Sequence, residues 1–239
     1  MLRSLLLYLS GQRRLRRWME TSRLPGPLVR RFIAGENLDQ GLAVAAKLNA
    51  GGYLVALDRL GEKVTTAAEA HASAEAYIHA IEEICRRRIK ASVSIKLTQF
   101  GLDISPGLCE VAVSGLAARA AAHGEVVEID MESHNYVERT LRIAHEMHRR
   151  FGCVRAVIQA YLYRSEEDAR SLCEAGIPVR LCKGAYREPA SVAFRRKSQV
   201  DANYARLTEV LLEKGVYPAL ATHDPAMIDH ALGGAAARG

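Results

Sequence analysis

This chain of 239 residues has no paired cysteines, no phosphate-binding glycine loop and no nucleophile elbow. Its five cysteines, Cys85, Cys109, Cys153, Cys173 and Cys182, are odd in number and scattered, with no Cys-x-x-Cys spacing. That argues against a disulfide framework and for a reducing compartment, with the thiols acting as small buried apolar residues. Neither Gly-x-x-x-x-Gly-Lys nor Gly-x-Gly-x-x-Gly nor Gly-x-Ser-x-Gly occurs, so the usual nucleotide and serine-hydrolase signatures are absent. His145 and His148 stand three apart rather than in His-Glu-x-x-His spacing, and no third ligand is evident, so no metal site is expected. No apolar run approaches bilayer-spanning length.

The charge that is present is unevenly placed. The net charge of +6 is concentrated in the first thirty-one residues, where Arg13, Arg14, Arg16, Arg17, Arg23, Arg30 and Arg31 crowd together. Such a patch is usually a solvated helix face. Nucleic acid is not an expected partner, because the chain lacks aromatic interleaving and a recognition-helix pattern. An anionic membrane surface is a further reading, since Leu5, Leu6, Leu7, Leu9 and Trp18 share the segment with the arginines. The opening apolar stretch is too short, and too soon followed by Arg-Arg-Leu-Arg-Arg, to serve as a signal peptide. A soluble cytoplasmic protein is expected, with peripheral membrane contact through basic N-terminal helices as the alternative.

From residue 52 onward short apolar runs alternate with longer helical stretches, the rhythm of βα units on a parallel sheet. Strands are expected at 53–60, 92–97, 126–131, 154–161, 178–182 and 217–222. Gly124, Gly152, Gly176 and Gly215 are placed to end helices in the left-handed conformation. Thr66-x-x-Glu69 and Asn135-x-x-Glu138 fit capping boxes, while Ser105-Pro106 and Asp224-Pro225 put a cap before a first-turn proline. The expected fold is α/β: a (βα)8-barrel type, incomplete at about six βα units. A helical segment over 1–50 precedes a catalytic domain over 51–239.

Several of these runs end in a polar side chain, as parallel strands do where they build a site at their carboxyl ends. Lys96 follows Ile95 on an alternating strand, where its ammonium could hold a carboxylate or form a Schiff base. Asp130, between Ile129 and Met131, needs a cationic partner, and Lys96 on the preceding strand is the natural one. Gln159 offers a buried amide suited to the edge of a planar heterocycle. Arg180 and Lys183, beside a turn at Gly184, make a corner suited to phosphate or developing negative charge. Thr222 and His223 lie next to a helix start that favours anions. Taken singly, each has an ordinary structural reading: a snorkelling lysine, a capping acid, a surface cation, a structural histidine.

Taken in order, the motifs resemble the proline dehydrogenase family, flavoenzymes built on a distorted (βα)8 barrel. The matching stretches are Leu-Asp-Arg-Leu-Gly-Glu (57–62), Ser-Ile-Lys-Leu-Thr-Gln-Phe-Gly-Leu (94–102), Ile-Asp-Met-Glu (129–132), Ile-Gln-Ala-Tyr-Leu-Tyr-Arg (158–164), Val-Arg-Leu-Cys-Lys-Gly-Ala-Tyr-Arg-Glu-Pro (179–189) and Ala-Thr-His-Asp-Pro (221–225). The resemblance implies oxidation of L-proline to 1-pyrroline-5-carboxylate, with hydride passing to the flavin of FAD and electrons to a quinone. It assigns Lys96 to the substrate carboxylate, Asp130 to positioning that ammonium, and Arg180 to the flavin N5 region. Gln159 would bond the isoalloxazine ring and Met131 would pack on it. Lys183, Gly184 and Ala185, with Thr222 and His223, would hold the ribityl, pyrophosphate and adenosine portions, and Tyr161 would line the cavity. Family members continue through two more strands to a last helix whose arginine pair clamps the carboxylate. The chain is therefore expected to be incomplete at its carboxyl end, with weak proline binding and doubtful turnover. The competing enzymatic reading is a Schiff-base lyase or aldolase using Lys96 or Lys183, which the neighbouring acid Asp130 disfavours by keeping Lys96 charged.

Overall fold

The computed structural model describes residues 33–61 and 63–239, so most of the expected N-terminal helical segment lies outside the described residues. The chain divides into two compact units, residues 1–53 and 54–239. In the first, helix α1 (Leu38–Ala50) starts where the Asn37 side chain accepts a hydrogen bond from the Gln40 amide.

The second unit is a six-stranded, all-parallel sheet whose strands follow one another in chain order. They are β1 (Val55–Asp58), β2 (Ala91–Ile95), β3 (Val127–Ile129), β4 (Val154–Gln159), β5 (Val179–Cys182) and β6 (Ala219–Leu220). Helices α2 (Ala67–Arg87), α3 (Pro106–His123), α4 (Val137–Phe151), α5 (Ser165–Glu174) and α6 (Lys197–Lys214) link them, and α7 (Pro225–Ala236) follows β6. Every expected strand is present, each somewhat shorter than its apolar run.

One face of the sheet is apolar. Val93, Ile95, Val127, Ile129, Val154, Ala156, Ile158, Val179 and Leu181 are buried with helix residues such as Leu116, Ile143, Met147, Leu172 and Leu207. The alternate residues point the other way, as the period of two requires. Their contacts reveal the curvature. In a flat sheet β2 and β5, three strand spacings apart, would be separated by about 14 Å. Yet the Arg180 guanidinium on β5 lies 3.2 Å from the Ser94 hydroxyl on β2. The sheet therefore curls around this face as an open half-barrel. Strands β1 and β6 form its two edges.

The helix signals hold in part. Thr66 and Glu69 form a full capping box at the start of α2, and the Asp224 carboxylate accepts from the Ala226 amide at the start of α7. Ser105 caps α3 by position alone, without a side-chain hydrogen bond. Asn135 does not cap α4: it sits inside a 3-10 turn (His134–Tyr136), which carries the chain into the helix directly. Gly124, Gly152 and Gly176 have the expected positive φ, whereas Gly215 is extended at φ −79° and the left-handed residue of that turn is Tyr217 at φ 46°. Of the cysteines only Cys109 is fully buried; the other four are half-buried.

Candidate active site

The inner face of the half-barrel carries charge where barrel strands usually carry branched apolar residues. Asp58, Lys96, Glu128, Asp130, Arg155 and Arg180 form one connected network, three acids and three bases. The Lys96 ammonium lies 2.6 Å from Asp58 and 3.1 Å from Asp130. Asp130 also accepts from the Ser94 hydroxyl at 2.7 Å and from Arg180. Deeper in, Glu128 accepts from Arg180 at 2.6 Å, from Arg155 at 3.0 Å and from Ser92 at 2.7 Å. Strand alternation places these groups: Ser92, Ser94 and Lys96 are spaced by two, as are Glu128 and Asp130. The expected pairing of Lys96 with Asp130 is present, with Asp58 as a second partner.

Burial opposes the charge on Lys96, but the hydrogen bond to Asp58 and the field of Asp130 outweigh it, and the ammonium's pKa rises above its ordinary value. Tyr77, buried beneath Asp58 and donating to it at 3.3 Å, is held protonated well above the usual phenol range by that burial and by the Asp58 charge. Burial also pushes the Cys182 thiol up to about 11. Cys182 faces the same interior two residues after Arg180, yet it is a poor nucleophile. At pH 8 its reaction with a disulfide reagent such as Ellman's should be about a hundredfold slower than that of a free thiol. Site-resolved labelling followed by mass spectrometry checks this.

Above the charged network, at the carboxyl ends of β3 to β6, the rim groups are built differently. Gln159, buried, donates from Nε2 to the Met131 carbonyl at 3.0 Å, while its Oε1 is buried without a hydrogen-bond partner. Met131 itself is 6 % exposed, its carbonyl fixed by that bond. Gly184 sits at φ 105°, and a Cβ there would overlap the Tyr161 ring. The Tyr161 hydroxyl donates to Glu188 at 3.2 Å, and Glu188 also takes the His134 amide at 2.9 Å and pairs with its ring, tying the loop after β5 to the loop after β3. Lys183 does not share partners with Arg180: its ammonium lies 2.5 Å from Asp201 and 2.7 Å from Asp224. The Thr222 hydroxyl accepts from the Asp224 amide at 3.1 Å, while Ala185 and His223 are exposed. The structure thus brings Lys96, Asp130 and Arg180 together and sets Lys183 and Thr222 in a second cluster around Asp224. Among the described residues, no group of three His, Cys, Asp or Glu could hold a metal ion.

Comparison with known proteins decides the family. The family model for proline dehydrogenase matches residues 42–239. The chain belongs to the proline dehydrogenase family. It is 36% identical over 230 residues to proline dehydrogenase 1 of Bacillus subtilis (strain 168), covering 95% of this chain and 75% of that relative. Proline dehydrogenase of Deinococcus radiodurans is 36% identical over 207 residues, covering 84% of this chain and 67% of the relative. Among solved structures, proline utilization A (PutA) from Bdellovibrio bacteriovorus, inactivated by N-propargylglycine, superposes with a TM-score of 0.79 at 26% identity. That match covers 87% of this chain and 27% of the longer PutA chain.

Asp58, Glu128 and Arg155 are site residues that the sequence reading passed over. Glu128 was within reach of pattern alone, since it stands two residues before Asp130 and a strand puts both on one face. Asp58, in the Leu-Asp-Arg-Leu-Gly-Glu stretch of this family member, has the same signal at the end of β1. Arg155 carries no such mark, because an arginine near the start of a strand reads as a surface cation.

Proposed function

We propose that this chain oxidises L-proline to 1-pyrroline-5-carboxylate with FAD as its resident cofactor, the electrons passing on to a quinone. The observation that carries the reading is the chain of contacts Lys96–Asp130–Arg180 on one inner face. An ammonium fixed by two carboxylates is a charged handle for the carboxylate of a small imino acid, and Asp58 with Asp130 keeps it aimed into the hollow. The residues present fit a flavin. Gln159 has a buried carbonyl oxygen free to accept from the N–H edge of a planar ring. At Gly184 the backbone packs so closely on the Tyr161 ring that no side chain fits, which fixes the loop carrying Lys183 and Ala185. Met131 and Gln159 would hold the ring; Lys183, Gly184, Ala185, Thr222 and His223 would hold the rest of the cofactor. When bound, FAD supplies the hydride acceptor.

The chain's own residues then have three tasks. Lys96 binds and orients the carboxylate. Arg180 would supply a permanent cation beside the ring, favouring negative charge developing on it. Asp58 and Asp130 hold Lys96 protonated, which works against the lyase reading, since a Schiff base needs the neutral amine. Borohydride with a carbonyl compound should therefore leave Lys96 unlabelled. We place the protein in the cytoplasm. No described helix is long and apolar enough to cross a membrane. The arginines of the first thirty-one residues are suited to peripheral contact with an anionic bilayer.

The test is reconstitution of the purified chain with FAD. It should turn yellow and be bleached by L-proline without oxygen, and Lys96→Ala should impair the response to proline while leaving FAD binding within about twofold. A chain that stays colourless, or equal loss of both properties in Lys96→Ala, would overturn the reading.

A further inference from the structure

We infer that Glu128 is the positioning residue of the site: it does not meet substrate or cofactor, but fixes the guanidinium of Arg180 from below. The inference rests on the flavin reading above only for its consequence, not for its geometry. Glu128 is one layer deeper in the half-barrel than Asp130, on the same face of β3, with a side chain 3% exposed. One carboxylate oxygen accepts from Ser92 at 2.7 Å and from Arg155 at 3.0 Å; the other accepts from Nη1 of Arg180 at 2.6 Å. The second terminal nitrogen of Arg180 is taken by Asp130 and, at 3.2 Å, by Ser94. Both ends of the guanidinium fork are thus held by different acids, one beneath and one beside it. Arg155 serves as the buttress: its Nε is buried without a partner, and its guanidinium lies 5.6 Å from the Tyr217 ring.

A buried ion cluster of this kind is a poor stabiliser. Desolvating the charges costs several kcal/mol per ion, and apolar residues of similar volume are commonly as good or better. Barrel interiors are ordinarily filled with Val, Ile and Leu. What the cluster adds is definition. An arginine has four rotatable bonds, and a single carboxylate leaves it free to swing about that contact. Two acids at a fixed spacing of two residues on one strand leave it one orientation. Glu128 therefore decides where the cation of Arg180 stands, while Asp130 is shared with Lys96 and cannot do so alone.

The experiment has one arm that needs no flavin. In Nη-resolved NMR of the chain without FAD, Arg180 should show hindered rotation about its Cζ–Nε bond in the wild type and averaged signals in Glu128→Gln. Averaged signals in both, or hindered ones in both, would overturn the inference whether or not FAD binds. In the FAD-loaded protein, sulfite affinity reads the cation near flavin N5. Glu128→Gln should weaken it about tenfold, and the same change in an Arg180→Met background should leave it within about twofold, because the coupling is lost with the partner. Tighter sulfite binding in Glu128→Gln, as expected if Glu128 acts only as a negative charge, or an equal effect in both backgrounds would defeat the positioning role. Should Glu128→Gln fail to fold, Ser92→Ala removes one hydrogen bond on Glu128 and no charge. It should loosen the Arg180 signals part-way, and unchanged signals would count against the inference. A wild type that takes up no FAD would sink the flavin reading while leaving the first arm to decide this one.

Discussion

Asp130→Ala should lower stability by about 3 kcal/mol, in the range for removing one partner of a mostly buried ion pair. It should also weaken the response to proline by about a hundredfold. Among the described residues, Asp130 is the one acid that touches both Lys96 and Arg180. Among the described residues, removing it leaves Lys96 with Asp58, and Arg180 with Glu128 and the Ser94 hydroxyl, in a network carrying an excess positive charge. Asp130→Asn should be milder in urea unfolding, since the amide can still accept from the Ser94 hydroxyl, yet nearly as harmful to the proline response because the charge is gone. Urea midpoints and proline titrations of the two variants separate hydrogen bonding from charge. Equal stability of wild type and Asp130→Ala would mean that water replaces the carboxylate freely.

Gly184→Ala is expected to cost about 3 kcal/mol, combining backbone strain with overpacking. The residue has φ 105°, which L side chains rarely adopt, and the new methyl would run into the Tyr161 ring. Tyr161 cannot simply move aside, because its hydroxyl is bonded to the buried Glu188, which in turn anchors His134. The double variant Gly184→Ala/Tyr161→Ala separates the two contributions. It should recover the part due to the clash and none of that due to φ, beyond the separate cost of truncating Tyr161. On the proposed flavin reading FAD affinity should fall in both, since the loop after β5 carries Lys183 and Ala185 as well. An unchanged urea midpoint in Gly184→Ala would show that the loop shifts at no cost.

Much of this was legible before any coordinates. Short apolar runs alternating with helical stretches marked the six strands, all of which pair in parallel in chain order. Lys96 and Asp130 announced themselves because a charged residue inside Val-Ser-Ile-Lys or Glu-Ile-Asp-Met must find a partner. Partner choice was less visible. Lys183 sits three residues from Arg180 in sequence, which suggested one shared corner, but three residues is an odd step on a strand and then a turn, so the two side chains leave in different directions. Arg155 and Glu128 form their pair across adjacent strands, at the register Glu128↔Arg155, and register is a tertiary property that local pattern does not encode. The same holds for Asn135, a good cap by spacing, which the 3-10 turn absorbs before the helix begins.

Lys96, Asp130, Gln159 and Arg180 all stand on or directly after the four middle strands, each of which has a neighbour on both sides. Asp58 ends one border strand, of four residues, and Thr222 follows the other, of two, each strand paired with a single described neighbour. Fraying on warming would therefore begin at the margins, loosening Asp58 and the Asp224 cluster first, while the Lys96–Asp130–Arg180 contacts were still intact.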